Sequence, residues 1–182
     1  MTLFKFLERG ARGPVSGLVW TANEWVETPG PLVLCRSGAH LLRPGDLAHW
    51  MHEELWRAEV DGEWIEGMDC IVARRARVTE RIDGGSGRDG ERFAQACHDR
   101  LGARLAEAVD PGVREHLANY QWAVNWHIER RNTAMAGYVS ALGLAQIAKD
   151  ETSLEAYRRE RAWQSEWLVR ELQLSVGSAH PG

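Results

Sequence analysis

Residues 83 to 90 read DGGSGRDG, and the hydrophobic pattern changes period across them. Before this stretch, short apolar runs are punctuated by Gly10, Gly13, Pro14, Pro29, Gly30 and Pro31. After it, apolar residues recur at three- and four-residue steps over long spans. A period of two turns one face of a strand to the core, and a period near 3.6 does the same for a helix. A chain that segregates the two patterns folds as α+β rather than as interleaved βαβ units. We therefore expect one compact domain, with a small antiparallel sheet and one short helix in residues 1 to 82. Three helices in residues 91 to 174 should pack on that sheet. The stretch 83 to 90 reads as a flexible link, since the lysine and Ser/Thr pairing of a P-loop is missing, and residues 175 to 182 read as a flexible tail.

Within the first half, strands are expected over 3 to 7, 17 to 20 and 31 to 35. In LWRAEV, Trp56, Ala58 and Val60 alternate with Arg57 and Glu59, the pattern of a half-buried strand. A longer strand follows, with Cys70, Val72, Ala76, Val78 and Ile82 on one face, and Asp61-Gly62 offers a turn between the two. Between the 31 to 35 segment and this hairpin, Pro44 and Asp46 start a short helix over residues 44 to 55. In the second half, a first helix runs to about residue 109. Asp110-Pro111 then supplies an N-cap and a first-turn proline. One long helix is expected over 113 to 149, carrying Leu117, Tyr120, Val124, Ile128, Met135, Val139 and Leu142. Its segment TAMAGYVSALGLAQIA is rich in Ala and Gly, which permits close approach of a neighbouring backbone. Thr152 and Glu155 have capping-box spacing and open a third helix.

The formal net charge of -4 argues against a nucleic-acid partner, because phosphate neutralisation calls for a basic excess. No apolar run approaches the roughly 20 residues of a membrane span, and the apolar core of the first residues is too short for a secretory leader. Cys35, Cys70 and Cys97 make an odd count without C-x-x-C spacing, which fits reduced thiols. A cytosolic location is expected, and no cofactor is implied.

Chemistry-bearing residues gather in LVLCRSGAHLLRPGDLAHWMHEEL. As an α-helix, residues 44 to 55 would turn Leu47, Trp50 and Met51 to the core and Asp46, His49 and Glu53 to another face, with His52 beside them. Cys35 and His40 would lie upstream, at a strand end and in the turn after it. Four readings are open. Cys35, His40, His49 or His52 could ligate a metal with a carboxylate, although the spacing fits no known zinc signature. A Cys35 thiolate activated by His40 could be a nucleophile. His40 and Asp46 could bind or protonate a polar ligand beside Trp20, Trp25 and Trp50, with His49 also in contact. Or Cys35 is a small buried hydrophobe and His40 a backbone-bonded structural residue. We take the third as the working expectation, with Cys35, His40 and Asp46 as the candidate reacting groups, Trp20, Trp25, Trp50 and His49 as ligand contacts, and no metal.

The stretch LCRSGAHLLRPGDLAHWM followed by LWRAEVDGE resembles the core of an uncharacterised domain of bacterial and phage proteins. Cys35, Ser37, Gly38, His40, Pro44 and Asp46 match its pattern. The resemblance implies no activity. That family often carries a second cysteine two residues after the histidine, where this chain has Leu42, so the resemblance does not extend to a Cys-His-Cys metal site. A looser likeness is to ADP-ribosyltransferase-like folds, at the level of a split sheet with a histidine-bearing turn. The competing expectation is a non-catalytic homodimeric module that associates through helix 113 to 149, with Trp122, Trp126 or Tyr138 near the contact.

Overall fold

The computed structural model describes residues 1–82, 87–149 and 151–174. The fold is α+β, as the change of period predicts. Five strands, β1 (Leu3–Leu7), β2 (Val26–Glu27), β3 (Ala39–Leu41), β4 (Glu54–Glu66) and β5 (Ile71–Ile82), form one antiparallel sheet. A 3-10 helix, Pro44–Trp50, lies between β3 and β4. Among the described residues four α-helices follow, α1 (Arg88–Glu107), α2 (Pro111–Glu129), α3 (Thr133–Gln146) and α4 (Ser153–Glu171). No helix among them is long and apolar enough to cross a membrane.

β4 and β5 form the expected hairpin, but the chain does not reverse at Asp61-Gly62. β4 continues to Glu66, with a register shift between Asp61 and Trp64. Gly62, at φ +76°, lies in that irregularity, where a glycine takes a backbone conformation other residues resist. The reversal comes at Gly67, whose N–H donates to the Cys70 carbonyl at 2.8 Å.

The strands expected at 17 to 20 and 31 to 35 are absent. Val19 makes a single bridge to Arg12, and Val33 pairs only with Ser37 across a tight turn where Cys35 takes φ +59°. Short apolar runs bounded by proline and glycine make strands only where a partner lies alongside. The partner of β5 is instead β3, so His40 lies in a strand and not in a turn.

β1 pairs with β4, β4 with β5, and β5 with β3. Phe4 and Leu42 then exchange backbone hydrogen bonds of 2.9 and 2.8 Å, which returns the end of β3 to β1 and closes the ring. The two faces of this curled sheet are both buried. One gathers Leu3, Leu7, Ala39, Leu41, Ile71, Ala73 and Ala76 with Trp20 from the loop after β1. The opposite face gathers Phe4, Phe6, Leu42 and Val72 against Leu47 and Met51, Phe93 and Cys97 of α1, and Trp167 and Leu168 of α4.

The expected helix 113 to 149 is two helices. α2 ends at Glu129, Arg131 takes φ +54°, and the Asn132 side chain accepts from the Met135 N–H at 3.3 Å, capping a new start. The hydrophobic period runs on through the break because α2 and α3 bury their stripes together, with Leu117, Val124, Ala136 and Leu144 in one cluster with Leu101 of α1. Close approach at the glycines of α3 is as expected: a Cβ at Gly143 would lie 2.6 Å from the Tyr120 ring. The two caps read from sequence are present. Asp110 accepts from Val113 N–H at 3.0 Å, and Thr152 and Glu155 bond reciprocally.

Candidate functional site

A cleft of about 370 Å³ opens where β1 meets β3. Its lining includes Lys5, Phe6, Trp20, Cys35, His40, Leu42, Trp50 and His52, with Val15 and Leu18 also contributing. Three elements build it. β1 brings Lys5, β3 brings His40, and the 3-10 helix brings Trp50, whose Nε1 donates to the Asp69 carbonyl at 3.2 Å and fixes the indole. The rings of His40 and Trp50 stand with centroids 6.4 Å apart.

His40 Nδ1 lies 3.1 Å from the Gly38 carbonyl. A carbonyl only accepts, so Nδ1 carries the proton in the neutral ring and Nε2 is left as an acceptor. Nε2 is buried and has no hydrogen-bond partner. Burial pulls the His40 pKa below its ordinary value; the Gly38 bond opposes this, and the Lys5 ammonium adds to it while Asp69 works against it. The imidazole is therefore neutral near pH 7, in the form that takes up a proton.

Lys5 is one of only two lysines in the chain and is not among the residues that the sequence marks for the site. It shares one face of β1 with Leu3 and Leu7, both buried. A lysine on the apolar face of a strand was the signal that could have found it. Its Nζ donates to the His40 carbonyl at 2.8 Å and sits 4.8 Å from the centre of the Trp20 ring. Burial lowers its pKa to about 8, with no carboxylate offsetting the loss of water.

The structure divides the residues singled out from sequence. Cys35, His40, Trp20 and Trp50 share the cleft. Asp46 does not line it: its Oδ2 accepts from Arg43 Nε at 2.6 Å and from the Arg43 N–H at 3.3 Å, closing the first turn of the 3-10 helix. His49 also lies outside, against Tyr157 of α4 at 6.4 Å between rings and 3.9 Å from Asp69. The helix stops at Trp50, so the face expected to join Asp46, His49 and Glu53 does not form. Trp25 lies on the exposed side of β5 beneath Arg75 and Arg77, whose guanidinium carbons are 4.7 and 4.5 Å from its ring centre. Cys35 is exposed, which removes the reading of it as a buried hydrophobe. Among the described residues no group of three His, Cys, Asp or Glu is placed to hold a metal ion.

A larger groove, about 1060 Å³, opens at the far end of the helices around Arg100, Arg104, Asp110, Lys149 and Arg159. Most of its charges are spent on one another. Arg100 holds Glu160 through two hydrogen bonds, Arg159 pairs with Glu151 and Glu160, and Arg104 with Glu107. It offers less unsatisfied chemistry than the smaller cleft.

Comparison with protein-family models, with curated proteins and with solved structures finds no match to the chain.

Proposed function

We propose that the chain is a small-molecule enzyme or ligand-binding protein whose ligand occupies the cleft between β1, β3 and the 3-10 helix. The supporting observation is the His40 Nε2, buried without a partner in a cleft walled by Trp20, Phe6, Leu42 and Trp50. A buried polar atom without a partner is costly, and a ligand that donates to it recovers that cost. The volume falls in the range of about 300 to 1,000 Å³ common to ligand sites. The ligand should have an apolar body for the indoles and a polar group that reaches His40, which acts on it as a hydrogen-bond acceptor or general base. Of His40 and Asp46, only His40 lines the cleft, so this reading assigns the polar role to His40. A thermal-shift screen tests the proposal, because a ligand that binds only the folded state raises its melting point. Compounds that stabilise the wild type and lose their effect in both His40→Asn and Trp50→Leu support it. Hits that act equally on all three proteins would place the ligand elsewhere.

A second reading is favoured by Trp122 and Trp126, which are 69% and 41% exposed on the outer side of α2. An i to i+4 pair of exposed indoles fits self-association. A dimer that dissociates in Trp122→Lys, followed by light scattering, would support it; a constant monomer mass over a hundredfold range of concentration would end it.

A further inference from the structure

We propose that Lys5 is a reactive amine, and that the cleft takes an aldehyde or ketone with an apolar body and holds it as a reversible imine on the Lys5 Nζ. The proposal rests on the cleft being the ligand site and names the chemistry of the ligand.

A lysine that serves only the fold keeps its ammonium in water or against a carboxylate. Lys5 does neither. It stands on a strand face between buried Leu3 and Leu7, and its ammonium donates to one backbone carbonyl and sits over the face of Trp20. Nor is it sealed into the core, since it lines the cleft together with Phe6, Trp20, Leu42 and Trp50. An amine in such a setting is kept from full protonation by burial, which is how a lysine becomes a nucleophile. The second group such chemistry needs is a proton carrier. His40 lines the same cleft, with its Nδ1 proton committed to Gly38 and its Nε2 free to accept.

The step balances without any further reagent. The neutral Nζ adds its lone pair to the carbonyl carbon; the C–N bond forms as the carbonyl π pair moves to oxygen. His40 Nε2 takes the proton the nitrogen sheds and returns it to that oxygen, giving the carbinolamine. The C–O bond then breaks, the nitrogen pair closes the C=N bond, and the second nitrogen proton follows the first onto oxygen. One water leaves. Hydrolysis is the reverse.

The composition makes the test simple, because Lys5 and Lys149 are the only lysines. The full chain is incubated near neutral pH with benzaldehyde and cyanoborohydride, which reduces any imine to a stable benzylamine, and the modified sites are mapped by mass spectrometry. With its pKa lowered to about 8, Lys5 carries roughly a hundredfold more neutral amine than an ordinary lysine, so it should be benzylated at least tenfold faster than Lys149. His40→Asn should slow labelling of Lys5 and leave Lys149 unchanged. In parallel, quenching of tryptophan fluorescence by benzyl alcohol reports occupation of the cleft without covalent chemistry. Quenching without preferential labelling of Lys5 would overturn the imine and leave the ligand site standing. Neither quenching nor labelling would overturn both.

Discussion

Arg161 of α4 donates a hydrogen bond to the backbone carbonyl of Ala48 in the 3-10 helix. One turn further along α4, the Ser165 Oγ accepts from the Ala48 N–H at 3.1 Å. Both backbone polar groups of one residue are thus held by a helix more than a hundred positions away, and all three residues are buried. Arg161 also donates to Gln164 at 2.7 Å, and Gln164 in turn donates to the Gly137 carbonyl of α3 at 2.8 Å. This network joins the helical half to the element that carries Trp50, and so sets one wall of the cleft.

Ser165→Ala is expected to leave the Ala48 N–H buried without an acceptor, at a cost of about 1 to 3 kcal/mol. Urea denaturation of the variant checks the value. A change below about 0.5 kcal/mol, the scale of an ordinary surface substitution, would show that the clamp contributes little.

Asp46 and His40 should separate in opposite directions. Asp46→Ala removes the acceptor that holds Arg43, which itself donates to the Gly67 and Met68 carbonyls at 3.1 Å. It should cost about 1 to 2 kcal/mol of stability while leaving the affinity for a cleft ligand within roughly a factor of two. His40→Asn should weaken that ligand by about tenfold, the loss of one hydrogen bond. Because the folded-state pKa of His40 is lowered, its contribution to stability is full above the unfolded value of about 6.5 and declines as pH falls through that value. Melting points from mildly acidic to neutral pH should therefore depend less steeply on pH in His40→Asn than in the wild type.

Lys5 has a window of the same sign at higher pH. Its folded-state pKa of about 8 lies below the unfolded value of about 10.4, so between them the unfolded chain binds the extra proton and stability rises with pH. Below the window the folded protein carries a desolvated charge. Lys5→Met should therefore raise stability at neutral pH, by an amount on the order of 2 kcal/mol once water in the cleft is allowed for. The variant should also lack the wild type's gain between pH 8 and 10, which calorimetry across that range measures.

One thiol should react in the native protein. Burial raises Cys70 to about 11 and Cys97 to about 12, whereas Cys35 is exposed on its turn. A thiol reagent at mildly alkaline pH should label one equivalent per chain, and none in Cys35→Ser. Cys35→Gly should be stabilising by about 1 kcal/mol, because φ +59° strains any residue with a Cβ. Two or three reactive thiols in the folded state would contradict the burial of the others.

What the sequence determined by itself was local. The switch of period across residues 83 to 90 set the α+β class, the alternation of Trp56, Ala58 and Val60 marked β4, and Asp110, Thr152 and Glu155 marked helix starts, because each signal lies within a turn or a few residues of its consequence; the single face expected of β5 is divided, with Cys70 and Val72 on one side of the sheet and Ala76 and Val78 on the other. The break at Arg131 escaped it, since an unbroken apolar stripe reports which residues are buried and not whether one helix or two present them. The candidate site was half legible. Cys35, His40, Trp20 and Trp50 were marked, but the helical spacing that added Asp46 and His49 assumed an α-helix where the chain makes a shorter 3-10 turn. The place of Lys5 on an apolar strand face was legible, but its meeting with the His40 carbonyl and Trp20 was decided by tertiary structure. β1 and β3 are more than thirty residues apart in the chain, and it is the closure at Phe4 and Leu42 that sets an ammonium, an imidazole and two indoles around one space. Pairing between distant strands is decided by which edges find a partner once the core is buried, and no short stretch of sequence carries that information.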